Sequence, residues 1–294
     1  MAPSSMKDSY MNFDSLRDRE FFLKSDFPPR FPQDMRDADR WKSLADRFDT
    51  FQATRRDIGA PRIPHLIHQI WLGGPLPELY KPLTESWRRF NPGWEYRLWD
   101  EKSILAFGLE NERSFKSSPN FGAKSDIARY EILERLGGFY ADTDFECLGS
   151  LDALADSATF VAGTNFDASP EINNALIGVV PHHPLFPRLI EGLSAPIRSA
   201  DGMEILALSG PRYLTRAFFE MDGSLLVPDI VLPSTYFYPF PNYEEAESSF
   251  PATRDKYAKP WSLAIHYWEA SWLKPSPLRQ MLSRVKRGIL ARLR

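Results

Sequence analysis

Only one cysteine, Cys147, occurs among 294 residues. A lone thiol excludes an internal disulfide framework, and with five histidines there is no zinc-binding spacing. No histidine stands near Cys147 in the sequence, so a packed, unreactive thiol is expected rather than a nucleophile. Long apolar runs are missing too. No stretch of about 18 apolar residues occurs, which excludes a membrane-spanning helix read from hydropathy. The opening Met-Ala-Pro-Ser-Ser-Met-Lys-Asp has no apolar core. No secretion signal is therefore expected, and the reducing cytoplasm is the expected location. Charge of one sign is also scarce. Lys and Arg number 36 against 39 Asp and Glu, a net charge of −3. Without a broad basic field, no nucleic-acid partner is expected.

What is present is apolar mass: 43% hydrophobic residues, enough to bury one sizeable domain with elaborations rather than two full domains. Three regions are expected: a helical N-terminal extension over 1–60, a catalytic domain over 61–275, and a basic amphipathic helix over 276–294. In the first, Phe21-Phe22 and the Pro-rich Phe27–Pro32 read as a docking arm. The spacing of Trp41, Leu44, Phe48 and Phe51 predicts a helix over Asp39–Thr54, packed on the core or offered to a partner. Asp37-Ala38-Asp39 reads as a solvated face. Ile63–Ile70 is an apolar run closing on Gly73-Gly74, as a strand buried on both faces does where a ligand approaches the backbone. Trp71 at its exit is placed to stack on a base, or is an ordinary core Trp. His68 reads as a hydrogen-bonded core residue. A helix is expected over Pro77–Phe90 with Leu79, Leu83 and Trp87 inward, then a strand over Trp94–Asp100. Asp100 caps the next helix or contacts a nucleoside, and capping is favoured.

The rest of the chain is organised around residues 121–149. Ile127, Tyr130, Leu133 and Leu136 recur at helical spacing, Gly137-Gly138 stops the helix, and Phe139–Ala141 enters a strand. Asp142 and Asp144 follow. On an extended chain they point the same way, about 6.5–7 Å apart, which suits a hard divalent cation that also holds a diphosphate. Asp-x-Asp alone is a weak signal; its position after helix, glycine pair and strand strengthens it. In the preceding helix Asp126 and Arg129 share a face, as an intrahelical ion pair or as part of the same site.

This ordered stretch resembles the sugar-binding region of glycosyltransferase family 32 and is similar to the core of the large clostridial glucosylating toxins. The residues that carry the resemblance are Ser125-Asp126-Ile127-Ala128-Arg129, Gly137-Gly138-Phe139-Tyr140 and Asp142-Thr143-Asp144. It covers roughly Ile63–Trp272. It implies an α/β fold of the GT-A type, with a mainly parallel sheet and helices on both faces. The implied function is a metal-dependent, retaining transfer of a hexose from a nucleotide-diphosphate sugar to a glycan, glycolipid or protein hydroxyl, in cell-surface glycan or capsule synthesis. Mn²⁺ or Mg²⁺ is implied as cofactor, on Asp144 and His266 with Asp142. Trp71, Tyr140, Asp142, Asn174, Ser271 and Trp272 are implied to bind the donor, and Asp126 and Arg129 to orient the sugar at the catalytic centre. A turn-forming role for Asn174, and a buried hydrogen bond for His266, are the simpler readings. A transferase acting on a protein, or an inert module that only binds nucleotide sugar, remain as alternative functions.

Later segments say less. His182-His183 reads as loop, since adjacent side chains diverge. Leu208–Arg216 resembles the family's Gly-Pro segment before a helix. Residues 222–260, rich in Pro, Tyr and Ser, read as loops over the site. In 277–294, Leu278, Met281, Leu282, Val285, Ile289 and Leu293 line one face and basic residues the other. Such a helix binds a membrane surface or docks on the core. Peripheral contact with the inner face of the membrane is the corresponding expectation.

Overall fold

The computed structural model describes residues 12–17, 35–54, 62–165, 169–221 and 229–269. Phe21-Phe22, the Pro-rich Phe27–Pro32, Ser271, Trp272 and the basic tail 276–294 lie outside the described residues.

The described strands are β1 (Leu66–Ile70), β2 (Glu95–Trp99), β3 (Gly138–Ala141), β4 (Phe145–Cys147), β5 (Phe160–Thr164), β6 (Ile172–Val179), β7 (Asp229–Leu232) and β8 (Ala264–His266). Six form the central sheet in the order β2-β1-β3-β6-β5-β7. The pairs β1/β2, β1/β3 and β5/β7 are parallel, whereas β6 is antiparallel to both its neighbours. The sheet is thus mainly parallel, as expected, with one reversed strand. Every residue of β1, β3, β5, β6 and β7 is buried, so both faces are covered. The helices Phe121–Leu136, Leu185–Glu191 and Pro211–Met221 pack on one another and against β3 and β6. Further cover comes from the helix Lys81–Phe90 on β4, and from Ser234–Phe237 against β5 and β8. β4 and β8 pair antiparallel as a separate ribbon.

The glycine pair is a geometric requirement. Gly137 (φ 62°) caps the long helix, and a Cβ on Gly138 (φ 93°) would lie 2.5 Å from the carbonyl oxygen of Leu66 on β1. The helix Met35–Thr54 packs on β7 with Trp41, Leu44, Phe48 and Phe51 all buried. Of the two readings open for this segment, it docks on the core. Asp100 caps the helix Glu101–Phe107: its Oδ1 accepts from Ser103 N–H (2.7 Å), and Ser103 Oγ accepts from Asp100 N–H (2.9 Å).

Two expectations are corrected. The helix expected from Pro77 begins at Lys81, after a 3₁₀ turn Glu78–Tyr80, and Leu79 is 57% exposed instead of inward. Pro82 has no N–H to give to a carbonyl a turn earlier, so it belongs in a first turn. Residues 222–260 are also more than loops. They contain β7 and the helices Ser234–Phe237 and Phe250–Tyr257, and the apolar run Ile230-Val231-Leu232 belongs to the core.

Candidate active site

The long helix starts at Asn120, whose Oδ1 accepts from Gly122 N–H (2.7 Å) and Ala123 N–H (3.2 Å). One turn further on it delivers Asp126 and Arg129, both almost fully buried. Arg129 is held from several sides, its Nε donating to the carbonyl of Ser125 (3.3 Å). Its Nη1 donates to the carbonyl of Asn174 (2.7 Å), and its Nη2 lies 3.1 Å from Asp142 Oδ1 and 3.4 Å from Asp126 Oδ1. Its guanidinium sits 4.2 Å from the Tyr140 ring centroid. The intrahelical pair therefore exists, and the same cation also reaches the downstream acid. Tyr140 donates its hydroxyl to Asp142 Oδ1 (2.6 Å), which fixes that carboxylate from a second side.

Asp142 and Asp144 are not neighbours on an extended strand. Asp142 N–H donates to the carbonyl of Ala175 (2.8 Å), and Phe145 N–H returns to the carbonyl of Asp142 (3.2 Å). Asp142-Thr143-Asp144 is thus a turn. The physical reason is that the chain leaves the central sheet here to begin the β4–β8 ribbon. That ribbon sets Phe145 opposite His266, their rings stacked at 4.4 Å. His266 Nε2 lies 3.0 Å from Asp144 Oδ1, and Asp144 Oδ2 accepts from Glu269 N–H (2.9 Å). The preceding residue, Trp268, has φ 54°, a left-handed backbone that a bulky side chain seldom adopts. Ligand atoms of Asp142, Asp144 and His266 all lie within 4.8 Å of one another.

Asn174 lies within β6, so the turn-forming reading falls. Its Nδ2 donates to Asp126 Oδ1 (2.7 Å) and approaches the Tyr130 hydroxyl (3.0 Å). Ser209 Oγ donates to Asp126 Oδ2 (2.7 Å), and the Tyr130 hydroxyl donates to the carbonyl of Ser209 (2.8 Å). Both oxygens of Asp126 are therefore occupied. Burial, partly opposed by Arg129 and Ser209, pushes the Asp126 carboxyl up to about 6. Asp142 is also raised, by burial first, against the pull of Arg129 and with Asp144 adding to it. Burial would raise Asp144 as well, but His266 outweighs it and holds that carboxyl below its usual range. The cluster thus concentrates negative charge on the residue nearest the imidazole.

A cavity of about 490 Å³ opens over this cluster. Trp71, Asp126, Arg129, Tyr140, Asp142, Asp144, Asn174 and His266 all line it. Trp71 is half-buried and tilted on Tyr80 at 5.3 Å, at the cavity wall rather than in the core. His68 is elsewhere: its Nδ1 accepts from Trp99 Nε1–H (3.1 Å), so its Nε2 carries the proton given to the carbonyl of Gly137 (3.0 Å). Burial lowers that imidazole to about 4, so it is a neutral core group. Cys147 is buried, its thiol pushed up by burial to about 12, and is unreactive. The sequence assigns no role at the site to Ser209, Glu171 or Glu269, and reads Tyr130 only as part of the apolar helix face. Only the Gly-Pro segment beside Ser209 carried any signal of a role.

Two carboxylates and an imidazole at this spacing suit a divalent cation of the Mn²⁺ or Mg²⁺ kind. His266 Nδ1 is buried without a partner, so the protein alone does not satisfy the ring.

Residues 77–161 match the family model described as "Glycosyltransferase sugar-binding region containing DXD motif", a shorter span than the resemblance read from the sequence. Inositol phosphoceramide mannosyltransferase 1 of Schizosaccharomyces pombe is 34% identical over 199 residues, 63% of this chain and 62% of that protein. Inositol phosphoceramide mannosyltransferase 2 of the same organism is 33% identical over 161 residues, 52% of this chain and 45% of that protein. The chain thus spans less than two thirds of either relative. Among solved structures, the catalytic domain of alpha-toxin from Clostridium novyi is similar at 10% identity and a TM-score of 0.47. That match covers 93% of this chain and 92% of that one.

Proposed function

We propose, for a chain whose residues 77–161 match the model of the glycosyltransferase sugar-binding region containing a DXD motif, that it moves a hexose from a nucleotide-diphosphate sugar to a hydroxyl of a glycan or glycolipid. The observation that supports this best is the meeting of Asp142, Asp144 and His266, within 4.8 Å, in the cavity that also takes in Asp126 and Arg129. A divalent cation, Mn²⁺ or Mg²⁺, held by Asp144 and His266 with Asp142 beside them, would neutralise the departing diphosphate as a Lewis acid.

The protein's own groups supply positioning. Arg129, fixed between Asp126, Asp142 and Asn174, keeps its charge and holds the acidic turn in place. Asp126, locked by Ser209 and Asn174, presents a rigid edge to sugar hydroxyls and orients the anomeric carbon. Trp71 offers a ring to the nucleobase. With both oxygens of Asp126 engaged, it is poorly suited to attack as a nucleophile. Taken with the retention that the resemblance implies, this favours a reaction in which the acceptor enters on the face the diphosphate leaves, giving its proton to the departing phosphate. The two fission-yeast relatives are named as mannosyltransferases acting on inositol phosphoceramide. Mannose is accordingly the first sugar to test, and an inositol-phosphate lipid headgroup the first acceptor. The proposed location is the cytoplasmic face of a membrane, contacted through 277–294. Deleting that tail is expected to lower sedimentation with anionic liposomes and to spare soluble donor hydrolysis.

The deciding experiment is a turnover screen of nucleotide sugars with purified protein and Mn²⁺ or Mg²⁺. Release of nucleoside diphosphate that chelator abolishes is the expected result. Tight donor binding without transfer or hydrolysis would overturn it in favour of a binding module.

A further inference from the structure

The cavity has a second polar group of residues that the donor reading does not use. Glu171 lines it with its side chain 18% exposed. Its Oε1 accepts from Asn165 Nδ2 (2.9 Å), and its Oε2 lies 3.5 Å from Arg212 Nε. Asn165 and Asn173 line the same wall. Asn165 is 3% exposed, and its Oδ1 is buried with no hydrogen-bond partner. Asn173, also at the cavity, uses its Oδ1 to accept from Ala175 N–H (2.8 Å), which leaves its amide NH₂ as the group it can offer a ligand.

This arrangement is poorly satisfied by the protein itself. A carboxylate beside a half-exposed arginine at 3.5 Å gains little from that pair. A buried amide oxygen without a donor is a standing cost that native folds seldom leave in place. The group lacks a partner rich in adjacent hydroxyls, each able both to donate and to accept. Carboxylate oxygens take the donated protons, and the amide NH₂ of Asn173 gives one back. Position fits the same partner. Glu171 lies three residues before Asn174, so on an extended chain the two side chains leave opposite faces, roughly 10 Å apart along it. Asn174 belongs to the Asp126–Arg129 cluster, so Glu171 and Asn173, two apart on the other face, line the cavity apart from the place assigned to the donor sugar.

We propose that Glu171, with Asn165 and Asn173, forms the acceptor subsite and binds a polyol headgroup, a sugar or cyclitol ring carrying neighbouring hydroxyls. This rests on the transferase reading above. A single serine or threonine hydroxyl on a peptide would leave most of these groups without a partner.

The test is saturation-transfer NMR on the full chain with methyl α-mannoside, myo-inositol and a Ser/Thr peptide. Thermal shift with UDP and GDP reports the donor side. The expected result is a polyol signal that falls at least fivefold in Glu171→Gln, no peptide signal, and an unchanged nucleotide response. Glu171→Asp keeps the charge but shortens the reach, and is expected to lose at least threefold; it carries the test if Glu171→Gln does not fold. No polyol signal with the unaltered protein, or an undiminished one in both variants, would overturn the proposal. So would a peptide signal that depends on Glu171, or loss of the nucleotide response together with the polyol. Free polyol binding needs no turnover. Polyol binding without donor hydrolysis therefore sinks the transferase reading and with it the acceptor role, leaving a polyol-binding site, and hydrolysis without polyol binding sinks this proposal alone.

Discussion

Two histidine–aspartate pairs in this fold have the same Nε2-to-Oδ1 distance, 3.0 Å, and different surroundings. His183 and Asp229 are wholly buried. His183 Nδ1 accepts from Leu185 N–H (3.3 Å), and Asp229 Oδ1 also accepts from Thr159 Oγ1 (2.5 Å). Each polar atom of that imidazole has a partner. His266 and Asp144 border the cavity, stand within ligand distance of a second carboxylate, and leave Nδ1 of the ring unpartnered. The pairing itself therefore says nothing about role. A pair that is complete and dry ties elements together. A pair short of a partner, next to a second acid and open space, is available for chemistry.

Exchange of the two acids tests this contrast most strongly. Asp144→Asn is expected to cut cation-dependent donor turnover about a thousand-fold, the several kcal/mol that a bound cation gives a leaving group, with little change in melting temperature. Asp229→Ala should do the reverse. It strands a buried imidazole and a buried hydroxyl and costs about 3–5 kcal/mol of folding stability in urea titration, while turnover per folded molecule is kept. If Asp144→Asn unfolded the protein and Asp229→Ala silenced it, the contrast would be lost.

A third test sharpens the comparison through pH. Asp126 keeps its proton in the fold up to about 6, against an ordinary value of 3.8. Its contribution to stability is then fully present below about 3.8 and is lost as pH rises through about 6, at most about 3 kcal/mol. Denaturant midpoints taken from pH 4 to 7 should fall across that window, and Asp126→Asn should flatten the fall. The smallest effect expected is that of Asn120→Ala. Loss of this cap on the helix carrying Asp126 and Arg129 should cost about 1 kcal/mol, read as a shift of a few degrees in melting temperature with turnover largely kept.

The site was more legible in the sequence than the path of the backbone through it. Asp126, Arg129, Asp142 and Asp144 stand close together in one helix–glycine–strand order, so local spacing was enough to group them. Asn174 and His266 came from the resemblance, and the structure places both in the same cavity. What escaped was whatever depends on long-range pairing. The turn at Asp142–Asp144 exists because β4 leaves the sheet to pair with β8, about 120 residues later in the chain, and no local pattern announces that. Ser209 reaches Asp126 across 83 positions. Leu79 was assigned inward by helical spacing, although Pro82 starts the helix only at Lys81. β7 lies among prolines and tyrosines, and its apolar run of three residues is too short to stand out.

The reversed run of β6 has an effect on how such a protein can change. Five strands of the sheet bring their tails to one rim, and β6 alone brings its head, with Asn173, Asn174 and the Glu171 just before them. The head of β6 therefore reaches the rim without belonging to the stretch that carries the acidic turn. Replacements at Asn165, Glu171 and Asn173 can reshape what is recognised there while 121–149 stays untouched. Selection can act on partner choice and on bond breaking through separate pieces of chain.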